Sequence, residues 1–240
     1  MKKIAVSLIL IIAIIANCTK VFAERFESLG MNIDLPKEYY NLKAGIETGD
    51  SKIEYYTALM QTTKEKLSEE YKQNSILYDG INTNMANEIY ISSTENKLTK
   101  SIFHLSSATE EQITQVEEEL KKTFDAQEMK TSNIEKYEKD EITYIYSVTT
   151  KSTTTIYQYY TVVNGVGIAI SLHSSDSSAK SEEIKKMIDS ISFDELQEKP
   201  AEFTLYILIG VTAILVIMVL VLMYMAFFSQ KKDNNSLDKE

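Results

Sequence analysis

The chain has 240 residues, a net charge of −10, seven glycines, two prolines and a single cysteine, Cys18. That length, less two membrane-type segments, leaves one domain of ordinary size that can fold on its apolar core without disulfides. Between Glu24 and Glu202 there are 32 acidic and 19 basic side chains, an excess that repels nucleic acid and anionic lipid headgroups and argues against either as the main partner.

Lys2 and Lys3 precede the largely apolar run Ile4 to Ala16, and Val21-Phe22-Ala23 closes the segment with residues suited to a cleavage site. The run is short for a membrane span, so residues 1–23 read as a signal peptide. Ile15-Ala16-Asn17-Cys18 faintly resembles a lipidation box, but Asn17 stands where a small side chain is expected, and cleavage after Ala23 is the preferred reading over lipidation at Cys18. If the segment is retained instead, it anchors the chain with the domain still outside.

The domain is expected over 24–193. Met31, Ile33 and Leu35 alternate as a strand that Pro36 ends. Residues 51–60 fit two patterns. Ile53, Tyr56 and Met60 have helical spacing, whereas Ile53, Tyr55, Thr57 and Leu59 share a strand face; the tyrosine pair favours the strand. Thr63 is placed to cap a helix over 64–73, with Leu67 and Tyr71 one turn apart. Asp79-Gly80 reads as a turn, followed by strands over 88–93 and 99–106. Thr109 and Gln112 form a capping box ahead of the stripe Ile113, Val116, Leu120, Phe124.

A strand-rich stretch runs over 132–174. Ile142, Tyr144, Tyr146 and Val148 alternate with mostly polar neighbours, so that strand is expected to bury one face. Residues 155–163 are apolar or aromatic on both faces, which predicts a central strand covered on both sides. Asn164-Gly165 is a type I′ hairpin signal, because both residues tolerate positive φ. The return strand carries Val166, Ile168, Ile170 and Leu172 on one face. A last helix, capped by Asp176 or Ser177, turns Ile184, Met187, Ile188 and Ile191 to the core.

Helices separated by clusters of strands favour an α+β fold, a twisted antiparallel sheet packed with helices, over a doubly wound one. A linker, 194–202, leads to Phe203–Phe228, a stretch without a charged side chain. At about 1.5 Å per residue it is long enough to cross a ~30 Å hydrocarbon core. Glu195, Glu198 and Glu202 precede it and Lys231 and Lys232 follow, so the positive-inside rule puts the tail, 229–240, in the cytoplasm and the domain outside a cell membrane.

Gly30-Met31-Asn32-Ile33-Asp34-Leu35-Pro36 with Tyr39-Tyr40, and the closing Met187-Ile188-Asp189-Ser190-Ile191-Ser192-Phe193, resemble the start and end of PsbP-like domains. The wider chain resembles single-pass membrane proteins of low-GC Gram-positive bacteria. The resemblance implies a PsbP-like sandwich over 26–193 and a non-catalytic binding or assembly role.

The residues themselves offer little chemistry. The domain contains no cysteine and no G-x-S-x-G elbow. His104 and His173 read as surface or strand-end histidines and are too few for a multi-histidine metal site. Carboxylates are plentiful, yet the chain has no tryptophan to platform a sugar. No catalytic, cofactor-binding or metal-binding residue is therefore assigned. Tyrosine density marks Tyr39, Tyr40, Tyr55 and Tyr56 as a candidate contact patch. The expected function is a membrane-anchored extracytoplasmic binding or accessory module, not an enzyme, with an envelope protein as candidate partner. A carboxylate-dependent envelope hydrolase and a single-pass sensor are the alternatives.

Overall fold

A computed structural model describes residues 21–176 and 181–199. The chain divides into a compact unit ending at Gln197 and a second unit from Glu198, of which only Glu198 and Lys199 are described. The apolar stretch at 203–228 and most of the signal segment lie outside the described residues. Among those described, no helix is long and apolar enough to cross a membrane. Val21–Ala23 form the first half of strand β1 (Val21–Phe26).

The fold is α+β, with antiparallel sheets and helices. After β1 come β2 (Met31–Pro36) and β3 (Tyr39–Asn41), then helices α1 (Leu42–Thr48), α2 (Lys52–Leu59) and α3 (Lys64–Gln73). Next are β4 (Ile76–Asn82), β5 (Asn87–Thr94), α4 (Lys97–Ile102) and α5 (Glu110–Ala126). Strands β6 (Lys130–Lys139), β7 (Ile142–Lys151), β8 (Thr154–Val163) and β9 (Val166–Ser174) then run as a meander before α6 (Ser181–Asp189) and β10 (Ser192–Phe193). Seven strands form one sheet in the order β3-β4-β5-β9-β8-β7-β6, and β1-β2-β10 form a small second sheet.

One face of the large sheet packs on the small sheet and α6. Met31, Ile33 and Leu35 of β2 and Ile184, Met187 and Ile188 of α6 meet Ile89, Ile91, Ile168, Ile170 and Leu172 in a single buried cluster. The opposite face is covered in two places. Leu42, Ile53 and Tyr56 of α1 and α2 sit on Ile81, while Ile102, Ile113 and Val116 of α4 and α5 sit with Ile145 and Val162.

Several expectations hold for local reasons. Thr63 accepts from the Lys66 amide and starts α3 at Lys64; Thr109 and Gln112 form the capping box of α5. Asn164 and Gly165 take φ of 54° and 79°, so β8 and β9 close on a tight turn. Strand β8 buries residues of both faces, Ile156 and Val162 on one and Tyr159 and Val163 on the other. The capping position expected for α6 adjoins residues 177–180, outside the described set.

Four expectations need correction. Residues 52–59 are helix α2, not a strand: Ile53, Tyr56 and Thr57 are buried while Tyr55 and Leu59 are exposed, so the i, i+3, i+4 stripe facing α1 overrides the strand propensity of tyrosine. Residues 97–102 are helix α4, because Asn96 and Thr99 close a capping box that competes with extended pairing. Asp79-Gly80 lies within β4, paired to Tyr90 and Ile89, and is not a turn. Strand β7 buries both faces, Tyr144 on one and Thr143, Ile145, Ser147 and Thr149 on the other, because α4 and α5 cover the side that its polar alternation marks as exposed.

Candidate functional site

Three of the four tyrosines marked from sequence come together. Tyr40 stacks on Tyr56 with ring centroids 4.9 Å apart, and Tyr55 meets Tyr56 edge-on at 5.4 Å. Tyr55 is 63% exposed, and Leu59, one turn on, is 48% exposed. Tyr39 is not part of this group. It points to the other face of the large sheet, where its hydroxyl donates to Glu183 Oε1 at 2.7 Å. Neighbours along a strand face opposite ways, which separates Tyr39 from Tyr40.

The helix-facing side of the sheet holds a second feature. The two helical covers leave the middle strands open, and a cleft of about 820 Å³ lies between α4–α5 and strands β8–β9. Its walls include Val116, Leu120 and Phe124 of α5, and its floor is Ile156, Gln158, Tyr160, Ala169 and His173. Register explains the floor: Tyr160 faces Ala169, Gln158 faces Ser171 and Ile156 faces His173. Small side chains at 169 and 171 leave room under the helix. The absent side chain at Gly167 lets Tyr160 lie flat across it; a Cβ there would collide with the Tyr160 hydroxyl.

His173 is therefore not a strand-end surface residue. Its ring lies 4.8 Å from that of Tyr90, and its Nε2 is 3.1 Å from Ser171 Oγ. Burial pulls its pKa down to about 4, so the imidazole is neutral at pH 7. Beside the cleft sits a buried acid pair that sequence reading missed. Asp79 is 0% exposed and accepts from the Tyr71 hydroxyl at 2.6 Å. Burial pushes its carboxyl well above the ordinary range, and the nearby charge of Glu88 adds to this. Glu88 is raised by burial, an effect opposed by hydrogen bonds with Tyr90 and Asp79. Asp79 Oδ1 and Glu88 Oε1 are both buried without a hydrogen-bond partner among the described residues, and one proton shared between the two carboxyls would satisfy them. The signal was present in sequence: Ile76 to Ile81 is apolar around Asp79, and reading it as one strand puts Asp79 with Ile81 on one face.

The segment after β10 is fastened to the domain. Arg25, the only arginine, grips Asp194 with two parallel bonds of 3.0 and 2.8 Å. The Asn164 side chain donates to the Glu195 carbonyl at 3.1 Å and accepts from the Gln197 amide at 2.9 Å. His104 Nε2 donates to the Gln197 carbonyl at 2.7 Å. Asn164→Gly keeps the positive φ and deletes both side-chain bonds; we expect a Glu-specific protease to cut at Glu195 and Glu198 about thirtyfold faster than in the wild type, the two lost bonds together contributing about 2 kcal/mol. Equal cleavage rates would show that Asn164 does not hold the segment.

Among the described residues, no group of three or more His, Cys, Asp or Glu side chains is placed to hold a metal ion. No family model and no curated protein matches the chain. Solved structures do align with it. One is the solution structure of cyanobacterial PsbP (CyanoP) from Synechocystis sp. PCC 6803, at 12% identity and a TM-score of 0.45, covering 74% of this chain and 94% of that one. Another is the Saccharomyces cerevisiae Ran-binding protein Mog1p, at 8% identity and a TM-score of 0.41, covering 73% and 96%. A crystal structure from Bacteroides thetaiotaomicron aligns at 11% identity and a TM-score of 0.40, over 75% of this chain and 50% of that one.

Proposed function

We propose that the chain is a membrane-anchored extracytoplasmic binding or accessory module of PsbP-like architecture that acts near the outer face of a cell membrane. The cleft between α5 and the sheet carries the binding half of this reading: it has apolar walls, a few inward polar groups and the size of a small-molecule site. The anchor half rests on the charge-free stretch at 203–228. With Asp194 to Gln197 fastened to the domain, the free linker in this reading shrinks to Glu198–Glu202, which reaches at most about 18 Å. The Tyr40, Tyr55 and Tyr56 cluster supports an envelope-protein contact, since one large ring is exposed and sits edge-on against a ring that is itself stacked on the third.

Two measurements test the reading. A tag after Glu240 should be shielded from protease added to intact cells; digestion from outside overturns the topology. Native purification of the full chain, followed by mass spectrometry of what co-purifies, should find a component with the wild type that is missing from Ala169→Phe, which fills the cleft. Identical co-purifying material from both proteins would sink the cleft as the binding site.

The contact between Ser171 and His173 favours a second reading, an envelope hydrolase. Against it, an imidazole with a pKa near 4 is a feeble general base at neutral pH, and Ser171 is only 6% exposed. Covalent labelling of Ser171 by a fluorophosphonate probe would bring the hydrolase back.

A further inference from the structure

The chemistry of the cleft narrows what it can hold. Its floor presents three uncharged polar groups from neighbouring positions on β8 and β9: the Gln158 amide, the Tyr160 hydroxyl and the His173 imidazole. The Gln158 and Tyr160 side chains make no hydrogen bond to another described residue, and His173 uses only Nε2, towards Ser171. These half-buried groups face the cleft and are placed to pair with a bound group that both donates and accepts.

Charge is confined to the rim. Among the described residues that line it, those that carry full charge are Lys97 and Glu119, both exposed, and Glu119 is already held by Lys122 at 2.7 Å. An anion carried to the floor would lose its hydration and meet no positive charge, and a cation would find no carboxylate among the floor residues. An anion would also approach a domain in which acidic residues outnumber basic ones. Val116, Leu120 and Phe124 in the helical wall and Ile156 in the floor provide apolar surface.

We propose that this cleft binds an uncharged, largely apolar small molecule that offers a carbonyl, amide or hydroxyl group to Gln158, Tyr160 and His173. This rests on the cleft being the binding site, as argued under the proposed function, and adds the class of the ligand. The neutral state of His173 at physiological pH agrees with it. Apolar contact with α5 supplies affinity, and the floor selects for an uncharged hydrogen-bonding head.

The test uses two photoreactive probes with the same body, 4-benzoylbenzamide and its anionic counterpart 4-benzoylbenzoate, on the detergent-solubilised full chain. Mapping crosslinks to peptides separates labelling of the cleft from uptake by micelles. The benzamide should label peptides of α5, β8 and β9 saturably, and the benzoate about tenfold less. Gln158→Leu keeps the volume and removes the amide, and should weaken benzamide labelling about fivefold. Ala169→Phe should abolish it. Equal labelling by both probes, or no effect of Gln158→Leu, overturns the ligand class while leaving the cleft as a site. Labelling that persists in a folded Ala169→Phe protein, or that falls elsewhere, overturns the cleft itself.

Discussion

Asp79→Ala is expected to lower the unfolding free energy by about 3 kcal/mol, whereas Asp79→Asn should be nearly neutral at pH 5 and stabilising at pH 8. The alanine leaves the Tyr71 hydroxyl and Glu88 without their buried partner and opens a void, and each of these losses is costly. The asparagine keeps a carbonyl for Tyr71 and supplies N–H groups to Glu88 where the shared proton was. The pH dependence follows from linkage. Asp79 and Glu88 have raised pKa values in the folded state, so folding takes up protons. Their contribution to stability is greatest below the ordinary carboxylate pKa of about 4 and declines as pH rises through the folded-state titration. Asparagine at 79 removes one of the two titrating groups and should flatten that decline.

His173 acts in the opposite direction. Its pKa falls to about 4 in the folded protein, so the unfolded chain binds the proton better. Stability is lost as pH falls from the ordinary histidine value of about 6.5 down through about 4. His173→Gln should remove this acid-side loss and leave the alkaline decline in place, so the two variants separate overlapping effects. Urea unfolding of the full chain between pH 4.5 and 8.5, followed by near-ultraviolet circular dichroism of the tyrosines, reads both. Parallel profiles for wild type and Asp79→Asn would show that the pair does not share a proton.

Leu172→Ala is expected to cost about 3 kcal/mol, within the range for deleting a buried leucine. Leu172 is 0% exposed. It pairs across the sheet with Ile89 on one side and Tyr157 on the other and packs in the cluster that joins the large sheet to β2 and α6. Surrounding strands are tied on both edges and cannot collapse into the void. Leu59→Ala, by contrast, removes a side chain that is 48% exposed and should change stability by less than about 0.5 kcal/mol. Similar losses for the two leucines in the same denaturation experiment would contradict the burial described here.

The elements that could be read from the chain are those whose cause is local. Thr63, the Thr109–Gln112 box and Asn164-Gly165 each satisfy or bend backbone within a few residues, so they act the same way in any context. The apolar stripes of α5 and β9 were legible because burial follows the period of the element. Residues 52–59 were not, since helical and strand spacings both fit them and the choice fell to α1 and Ile81, which come from elsewhere in the chain.

The candidate site divides in the same way. The Tyr40, Tyr55 and Tyr56 cluster was partly visible as a density of rings, but the separation of Tyr39 depended on which side of β3 each ring takes. The cleft could not be read at all. It exists because β9 lies between β5 and β8, which brings Ala169, Ser171 and His173 beneath a helix some fifty residues earlier in the chain. Asp79 looked like a turn residue because burying a carboxylate is costly; only its pairing with Glu88, nine residues on in the chain and diagonally across the β4–β5 pair, makes that burial tolerable.

Charge and capping were thus set by composition and short-range pattern: the acidic domain, the apolar stretch beyond it and the α+β class all follow from residues that act on their neighbours. The cleft, the acid pair and the fastening of Asp194 to Gln197 by Arg25, Asn164 and His104 arise from residues far apart in sequence. Such contacts depend on strand order and on which face each side chain takes, and a single chain read from end to end does not specify either until the sheet has closed.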